Sequence, residues 1–508
     1  MIRTHNLWRL SALLAGATLL YKLLGFAEKL VLAHVFGTSA TADAYIAGAG
    51  VVLLVGFLLA DIANPALIPV LLGDPAGARR TFGGTLGWVL FGSFPLAALG
   101  WWRAAGLARL FGPGFDEPTQ ALTASIIRVG MVALPALCVT AIVIAWYQAH
   151  GHFMRPALAD IALKLGPLAG IAGLGGVQGL AWGLMLGALV RLALLLNHRV
   201  PLRPQIDGRD AGLRKVVHGA WPLLLTSLVS VHLIGVIETA LASTLGTGAV
   251  AALAYARRIV DVPIILAPQI VARVAFPLLT DLAIRRDQAA LAVLLRRCVR
   301  FSMLLLLPLT IVGTLLSTPL VRLLLERGAF DTRSVAPTSI AMMTILPGLP
   351  ALALSILLVR FNYATGDTRR PSGIRVAGAV LQIGLALWWR RWGLAGLGWA
   401  TTVSLWVETI ALFAVARAAI QAPRDRDRRF WLILLLAGLS CGGAVLWGRT
   451  LLPEPDGTGA LFGYLAANTL LGCGAYAVVL GFGRIAELRD GWALLRRRGR
   501  PAEGELPG

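Results

Sequence analysis

Along the chain, apolar stretches of about 20 residues or more alternate with short polar connections. That length suits a helix crossing a hydrocarbon core, where unpaired backbone groups are too costly for open structures. The pattern predicts fourteen such runs, at residues 10–36, 42–72, 83–101, 122–149, 157–174, 177–196, 217–245, 250–282, 299–325, 334–361, 374–389, 393–416, 430–447 and 460–482. The first run follows Arg3 and Arg9 as a signal peptide would. It outlasts a signal core and lacks a polar cleavage region, so it reads as an uncleaved span. The expected fold is therefore an all-α integral membrane protein.

The connections carry their cations unevenly. One set holds the N-terminus, Arg79 and Arg80, Arg155, and the basic runs at 199–215, 285–300, 369–375, 417–429 and 484–500. The opposite set holds few. Cytoplasmic loops are the Lys/Arg-rich ones, so both termini are predicted to be cytoplasmic.

The chain also repeats itself, with a displacement of a little over two hundred residues. Leu32-Ala33, Gly37-Thr38 and Ala42-Asp43-Ala44-Tyr45 recur as Leu241-Ala242, Gly246-Thr247 and Ala252-Leu253-Ala254-Tyr255. Ile68-Pro69-Val70-Leu71 returns as Phe276-Pro277-Leu278-Leu279, and Leu107-Ala108-Arg109-Leu110 as Leu320-Val321-Arg322-Leu323. Gly176-x-x-Gly179-Leu180-x-Trp182 returns as Gly393-x-x-Gly396-Leu397-x-Trp399. Two six-helix lobes of like orientation are expected, residues 1–200 and 201–422. Two extra helices and a basic tail follow at 423–508. Duplicated halves of this kind place a substrate path between lobes that rock against each other.

Composition sharpens this picture. Of 508 residues, 57% are hydrophobic and 14% charged, against about 25% charged in soluble domains. The net charge of +21 would suggest nucleic acid on a soluble fold, but no long soluble stretch exists to bind it. Cys138, Cys298, Cys441 and Cys473 all lie in apolar runs and read as packing residues. No Gly-rich phosphate loop ending in Lys-Ser/Thr is present, so the reading is a transporter without an ATPase motif rather than an enzyme. No metal site is expected, and His150 with His152 reads as a solvated turn.

Ionisable residues inside spans are costly and normally face a partner or a wet cavity. Lys22 and Lys29 stand seven apart on one face of the first span, with Gly25 between them and Glu28 offset. The eighth span carries Arg257, Arg258, Asp261 and Arg273. Arg257 and Asp261 are spaced to neutralise each other, leaving Arg258 on another face. The sequence thus proposes Lys22, Lys29 and Arg258 as a cationic pocket for a phosphate or pyrophosphate. Glu28, Asp43, Asp61, Glu238, Arg257, Asp261 and Arg273 are further cavity or coupling candidates. Asp160 and Lys164, four apart, read as a local pair. Arg191 and Glu408, at equivalent repeat positions, are candidates for a coupling-ion site or an interlobe bond.

Several motifs resemble the MviN/MurJ family: Leu24-Gly25-Phe26-Ala27, then Ala33-His34-Val35-Phe36-Gly37 and Asp43-Ala44-Tyr45, then Pro69-Val70-Leu71. Gly112-Pro113-Gly114-Phe115 and Tyr255-Ala256-Arg257-Arg258 join them. The most specific are Leu324-Leu325-Glu326-Arg327-Gly328-Ala329-Phe330-Asp331 and Tyr363-Ala364-Thr365-Gly366-Asp367-Thr368-Arg369-Arg370-Pro371. The resemblance implies a fourteen-helix member of the multidrug/oligosaccharidyl-lipid/polysaccharide exporter superfamily, in the bacterial inner membrane. It further implies movement of a lipid-linked saccharide, best known as lipid II for peptidoglycan, to the outer leaflet. A cationic cavity would hold the head group, and helices thirteen and fourteen would guide the polyprenyl tail.

By this resemblance Lys22 stands where the family has a first-span Arg, and Arg258 is the retained eighth-span Arg. Glu28-Lys29 replaces the usual Arg-Asp with both signs reversed, and Gly50, Val55 and Gly56 are neutral where a basic stretch is usual. A sister polyprenyl-linked glycan is therefore a rival substrate. Other rivals are a cation-coupled exporter of small amphiphiles, using Asp43, Asp61 and Glu238, and a membrane scaffold that kept the fold without transport. No cofactor is expected beyond a possible coupling cation or the membrane potential. Expected partners are the lipid-linked substrate, membrane lipids and cell-envelope glycan synthesis proteins.

Overall fold

The computed structural model describes residues 4–197, 200–208, 210–266, 279, 281–282, 284–285, 287–419 and 428–483. Every regular element among them is helical. In chain order they are α1 (Thr4–Phe36), α2 (Ala40–Gly73), α3 (Ala78–Trp102), α4 (Ala104–Phe111), α5 (Glu117–Ala149), α6 (Met154–Leu174) and α7 (Gly176–Leu195). There follow α8 (Ala211–Ser227), a π-helical segment (Leu228–Leu233), α9 (Ile234–Ser243), α10 (Ala249–Leu266), α11 (Gln288–Leu315), α12 (Ser317–Leu325) and α13 (Thr332–Ile345). The last are α14 (Leu349–Ala364), α15 (Arg369–Trp389), α16 (Leu394–Ala419), α17 (Arg428–Leu451) and α18 (Thr458–Gly483).

Among the described residues, 12 helices are long and apolar enough to cross a membrane. In that count α8, the π segment and α9 form one span, as do α13 and α14. Helices α1 and α10 stand at the first and eighth of the fourteen expected positions; the rest of the eighth run, with Arg273, lies outside the described residues. Short α4 and α12 both follow the third span of their repeat, where the Leu-x-Arg-Leu match falls. Tight turns at Gly175 and Gly176 (φ 66° and 61°) and at Gly393 (φ 64°) join the last two spans of each copy. Such positive φ values are cheap only for glycine.

Side-chain oxygens fix several helix starts. Ser39 accepts from the Ala42 amide, Asp116 from Thr119, Asp210 from Leu213 and Asp287 from Ala290. Each such cap contributes about 1 kcal/mol by satisfying an amide that the helix cannot.

Two compact units result. The first comprises residues 1–259, 325–341 and 378–400, the second 260–324, 342–377 and 401–508. In the first, α5 is the central helix, with Ile142, Val143, Trp146 and Tyr147 buried against Leu67 and Leu71 of α2 and Phe82 and Leu86 of α3. Because lipid is as apolar as leucine, helices in a bilayer associate through close packing rather than water exclusion. Accordingly α6 and α7 meet along glycines: a Cβ at Gly166 would lie 2.7 Å from the Gly187 Cα, and one at Gly170 would lie 2.7 Å from the Gly183 Cα.

In the second unit, Leu291 and Leu295 of α11 pack with Leu354, Leu358 and Phe361 of α14. Helices α17 and α18 lean on α11 through Leu434, Ala437, Cys441, Leu461 and Tyr476. Gly438-Leu439-Ser440-Cys441-Gly442 has the spacing of a hydrolase nucleophile elbow, which needs a strand-to-helix turn. Here it is unbroken helix, and the Ser440 hydroxyl donates to the Ala437 carbonyl at 2.8 Å.

Candidate functional site

The first unit gathers four charged side chains from three helices. Glu28 of α1 is buried, and its Oε2 lies 3.0 Å from Lys164 Nζ of α6; its Oε1 lies 3.6 Å from Lys29 Nζ. The Tyr45 hydroxyl of α2 donates to Oε1 at 3.5 Å. Both ammonium groups also face aromatic rings, Lys29 over Tyr45 at 5.7 Å and Lys164 over Tyr21 at 5.9 Å. Cation–π contacts of this kind hold ammonium groups where water is scarce.

Arg258 of α10 completes the cluster. Its guanidinium lies against Gly25, in the space that a side chain there would fill, and the Lys164 Cε is 3.5 Å from the same point. Glu28 and Lys29 both feel its charge. Among the described residues, Glu28 thus has three cations around it, Lys29, Lys164 and Arg258. Lys22 is half-buried one turn before Gly25, on the face of α1 that also carries Lys29. Lys and Arg together supply charge and forked donors suited to a phosphate group.

The arrangement changes the reading of Glu28. At the sequence level it is a sign reversal beside Lys29; in the structure it anchors the cluster. Lys164 is the member that spacing alone does not find. Instead of pairing with Lys164, Asp160 accepts from Arg191 of α7 at 2.7 Å, and Arg191 also reaches the Thr140 hydroxyl at 3.2 Å. The signal for this was the glycine spacing on α6 and α7, which brings the two backbones close enough for Arg191 to cross.

The other acids are placed as follows. Asp43 is buried and accepts the Gly248 and Ala251 amides at 2.6 and 2.7 Å, so it caps α10 from α2. Glu238 of α9 is buried, ion-paired to Arg257 and bonded to Gln382 Nε2 at 2.9 Å. Asp61 of α2 accepts from Ser227 and His232, each at 3.1 Å. In the second unit Glu408 accepts the Ser355 hydroxyl at 2.5 Å. Asp261 is carried by α10 beyond the first unit and is exposed.

The recurrent sequence motifs converge where α1 turns into α2. The Ala329 amide donates to the His34 carbonyl at 2.7 Å, the Tyr255 hydroxyl to Gly37 at 2.9 Å, and Thr38 to the Ser334 hydroxyl at 2.8 Å. Gly37, Gly248 and Gly328 all have positive φ, and a Cβ on any of them would strike the carbonyl of Ala329, Thr38 or His34 respectively. Segments three hundred residues apart are thus locked backbone to backbone. A 630 Å³ pocket opens beside this lock, with Thr38, Asp331, Arg333 and Trp392 on its wall. Asp331 lies outside the spans. The amide and hydroxyl of Ser334 bond its carboxylate, holding it below the usual carboxylate range.

Comparison with known proteins agrees with this architecture. "Lipid II flippase MurJ" of Burkholderia cenocepacia is 25% identical over 469 residues, covering 87% of this chain and 90% of that protein. "Probable lipid II flippase MurJ" of Haemophilus influenzae is 27% identical over 463 residues, covering 84% and 90%. A solved structure titled "Lipid II flippase MurJ, inward closed conformation" superposes with a TM-score of 0.80 at 18% identity, over 93% of this chain and 98% of that one. An inward-facing multidrug transporter of the MATE family superposes at 0.68 and 16% identity, over 80% and 96%. The profile of the family described as "Lipid II flippase MurJ" matches residues 32–465, most of the chain, and the protein belongs to that family.

Proposed function

We propose that this protein carries a polyprenyl-diphosphate-linked saccharide, lipid II or a close relative, across the bacterial inner membrane by alternating access. The observation that carries the reading is the gathering of three cations around Glu28, with Lys29, Lys164 and Arg258 drawn together from three helices. A diphosphate entering the site exchanges water for charge-assisted hydrogen bonds from these cations. Lys22, on the same face of α1, extends the cationic path by a turn. In this reading both termini are cytoplasmic, as the basic loops indicate.

The lipid needs an apolar route. In the second unit, α11 and α17 flank a 520 Å³ cleft walled by Leu307, Ile311, Leu435, Leu439 and Leu446, with Gly438 and Gly442 on its floor. Its apolar, uncharged walls suit an isoprenoid tail. Asp43 and Glu238 are engaged in capping and ion pairing, which leaves them poorly placed for the rival reading of a cation-coupled exporter.

The test is rescue of a bacterial strain depleted of its own lipid II flippase. Wild-type protein is expected to restore growth, and Arg258→Ala to fail at equal membrane abundance. Absence of rescue by a properly inserted wild-type chain removes lipid II as the substrate. Translocation of another polyprenyl-linked glycan in vesicles then decides for the sister substrate.

A further inference from the structure

The π-helical segment between α8 and α9 sets up a second charged site, distinct from the Glu28 cluster. Ser227 closes α8 and His232 lies within the π segment. In an α-helix, five residues turn about 500°, leaving the two side chains roughly 140° apart. A π segment, bonded i to i+5, brings residues five apart nearly into line. Both side chains consequently reach one atom, Oδ2 of Asp61 on α2, each at 3.1 Å. The His232 side chain is 11% exposed and that of Asp61 49%.

We propose that Asp61, Ser227 and His232 form a proton-binding site whose occupancy controls the seam between α2 and the α8–α9 span. An ionised carboxylate only accepts, so the neutral imidazole donates through Nε2 and keeps Nδ1 for an incoming proton. With the proton bound, the site is an imidazolium–carboxylate pair with no net charge, and the seam is held. Without it, a net negative charge remains within the span, and the stable response is hydration and separation of the helices.

No other charged side chain bonds Asp61 or His232 among the described residues. On the elements packed against α2, Lys29 of α1 and Lys164 of α6 both join Glu28 of α1, and Arg80 of α3 joins Asp207. Arg191 of α7 joins Asp160 and Glu238 of α9 joins Arg257, while Lys22 stands midway along α1, on the face already described. Arg128 of α5 and Arg109 of α4 lie toward the other end of their spans from the α2 C-terminal half, and Arg214, Lys215 and His218 lie in the first turns of α8. Regularised to α-helix, the π segment would turn His232 away from Asp61.

The consequence for transport rests on the flippase reading, whereas the proton site rests on this geometry alone, and two measurements separate them. The first follows the imidazole signal of His232 by NMR from pH 5 to 9. It uses full-length, 15N-histidine-labelled protein in nanodiscs of phosphatidylethanolamine and phosphatidylglycerol, with His232→Gln to assign the peak. Asp61→Asn is expected to weaken proton binding there by about tenfold, and deletion of Val229, which closes the bulge, to do the same. Identical titration in wild type and Asp61→Asn overturns the site.

The second measures lipid II translocation in proteoliposomes under imposed pH gradients of either sign. Wild type is expected to respond severalfold to the sign of the gradient, and Asp61→Asn and His232→Gln to lose that response. A gradient response that survives both substitutions overturns the coupling. If wild-type protein moves no lipid II at all, the flippase reading fails, and the titration still decides the proton site.

Discussion

The guanidinium of Arg258 fills the space that a side chain at Gly25 would occupy, so these two residues form one fitted pair across α1 and α10. Gly25→Ala is therefore expected to act as a remote lesion of Arg258. The methyl group meets only the tip of a flexible side chain, so the fold survives while the guanidinium is displaced. Losing a hydrogen bond to a charged group costs about 1.5–3 kcal/mol, or roughly ten- to hundredfold in rate. Translocation assays should show that loss in Gly25→Ala and in Arg258→Ala, with unchanged thermal melting in the first.

Glu28 sets up a second expectation. Glu28→Gln leaves Lys29 and Lys164 uncompensated, and breaking a buried pair from one side costs about 3–5 kcal/mol. Melting in detergent should drop accordingly. Glu28→Gln combined with Lys164→Met should recover part of the loss, since one of the two stranded cations is then gone. A double variant no more stable than Glu28→Gln would show that Lys164 is not the partner that matters.

Much of this was legible in the sequence, and the gaps have physical causes. Span positions followed from length and hydropathy, because lipid tolerates little else. Lys29 and Arg258 stood out as charges in apolar runs. Lys164 did not, because the i,i+4 rule offers Asp160 as a local partner, whereas Arg191 takes Asp160 across the glycine contact of α6 and α7. Asp43 looked like a free acid since its partners, the amides of Gly248 and Ala251, are two hundred residues away and have no side-chain signature. The π segment was equally silent, since no residue type in Leu228–Leu233 announces an extra residue per turn.

Asp43 gives a graded prediction. Each carboxylate oxygen accepts one amide at the start of α10. Asparagine keeps one acceptor, and alanine leaves two buried donors unsatisfied at about 1–3 kcal/mol each. Thermal stability should fall in the order Asp, Asn, Ala. Equal melting of the Asn and Ala variants would falsify the two-bond cap.

Arg257 and Glu238 offer a test of ion pairing inside the span. Arg257→Met strands a buried carboxylate that retains its bond from Gln382, so a loss of about 3–5 kcal/mol is expected. Adding Glu238→Gln removes the stranded charge, and the double variant should melt closer to wild type than Arg257→Met alone. This measurement also asks whether Glu238 serves an external cation: sodium-dependent stabilisation in Arg257→Met but not in wild type would indicate that the guanidinium substitutes for one.

The glycine contact between α6 and α7 has a mechanical meaning. With backbones touching at Gly166, Gly170, Gly183 and Gly187, the hairpin has no side chains to slide over and cannot scissor. Lys164 stands on that hairpin next to the contact, as a fixed post. Glu28, by contrast, rides on α1, which merely leans against α6. The 3.0 Å gap between them is thus a built-in gauge of the tilt of α1, closing or widening with the pose of a single helix.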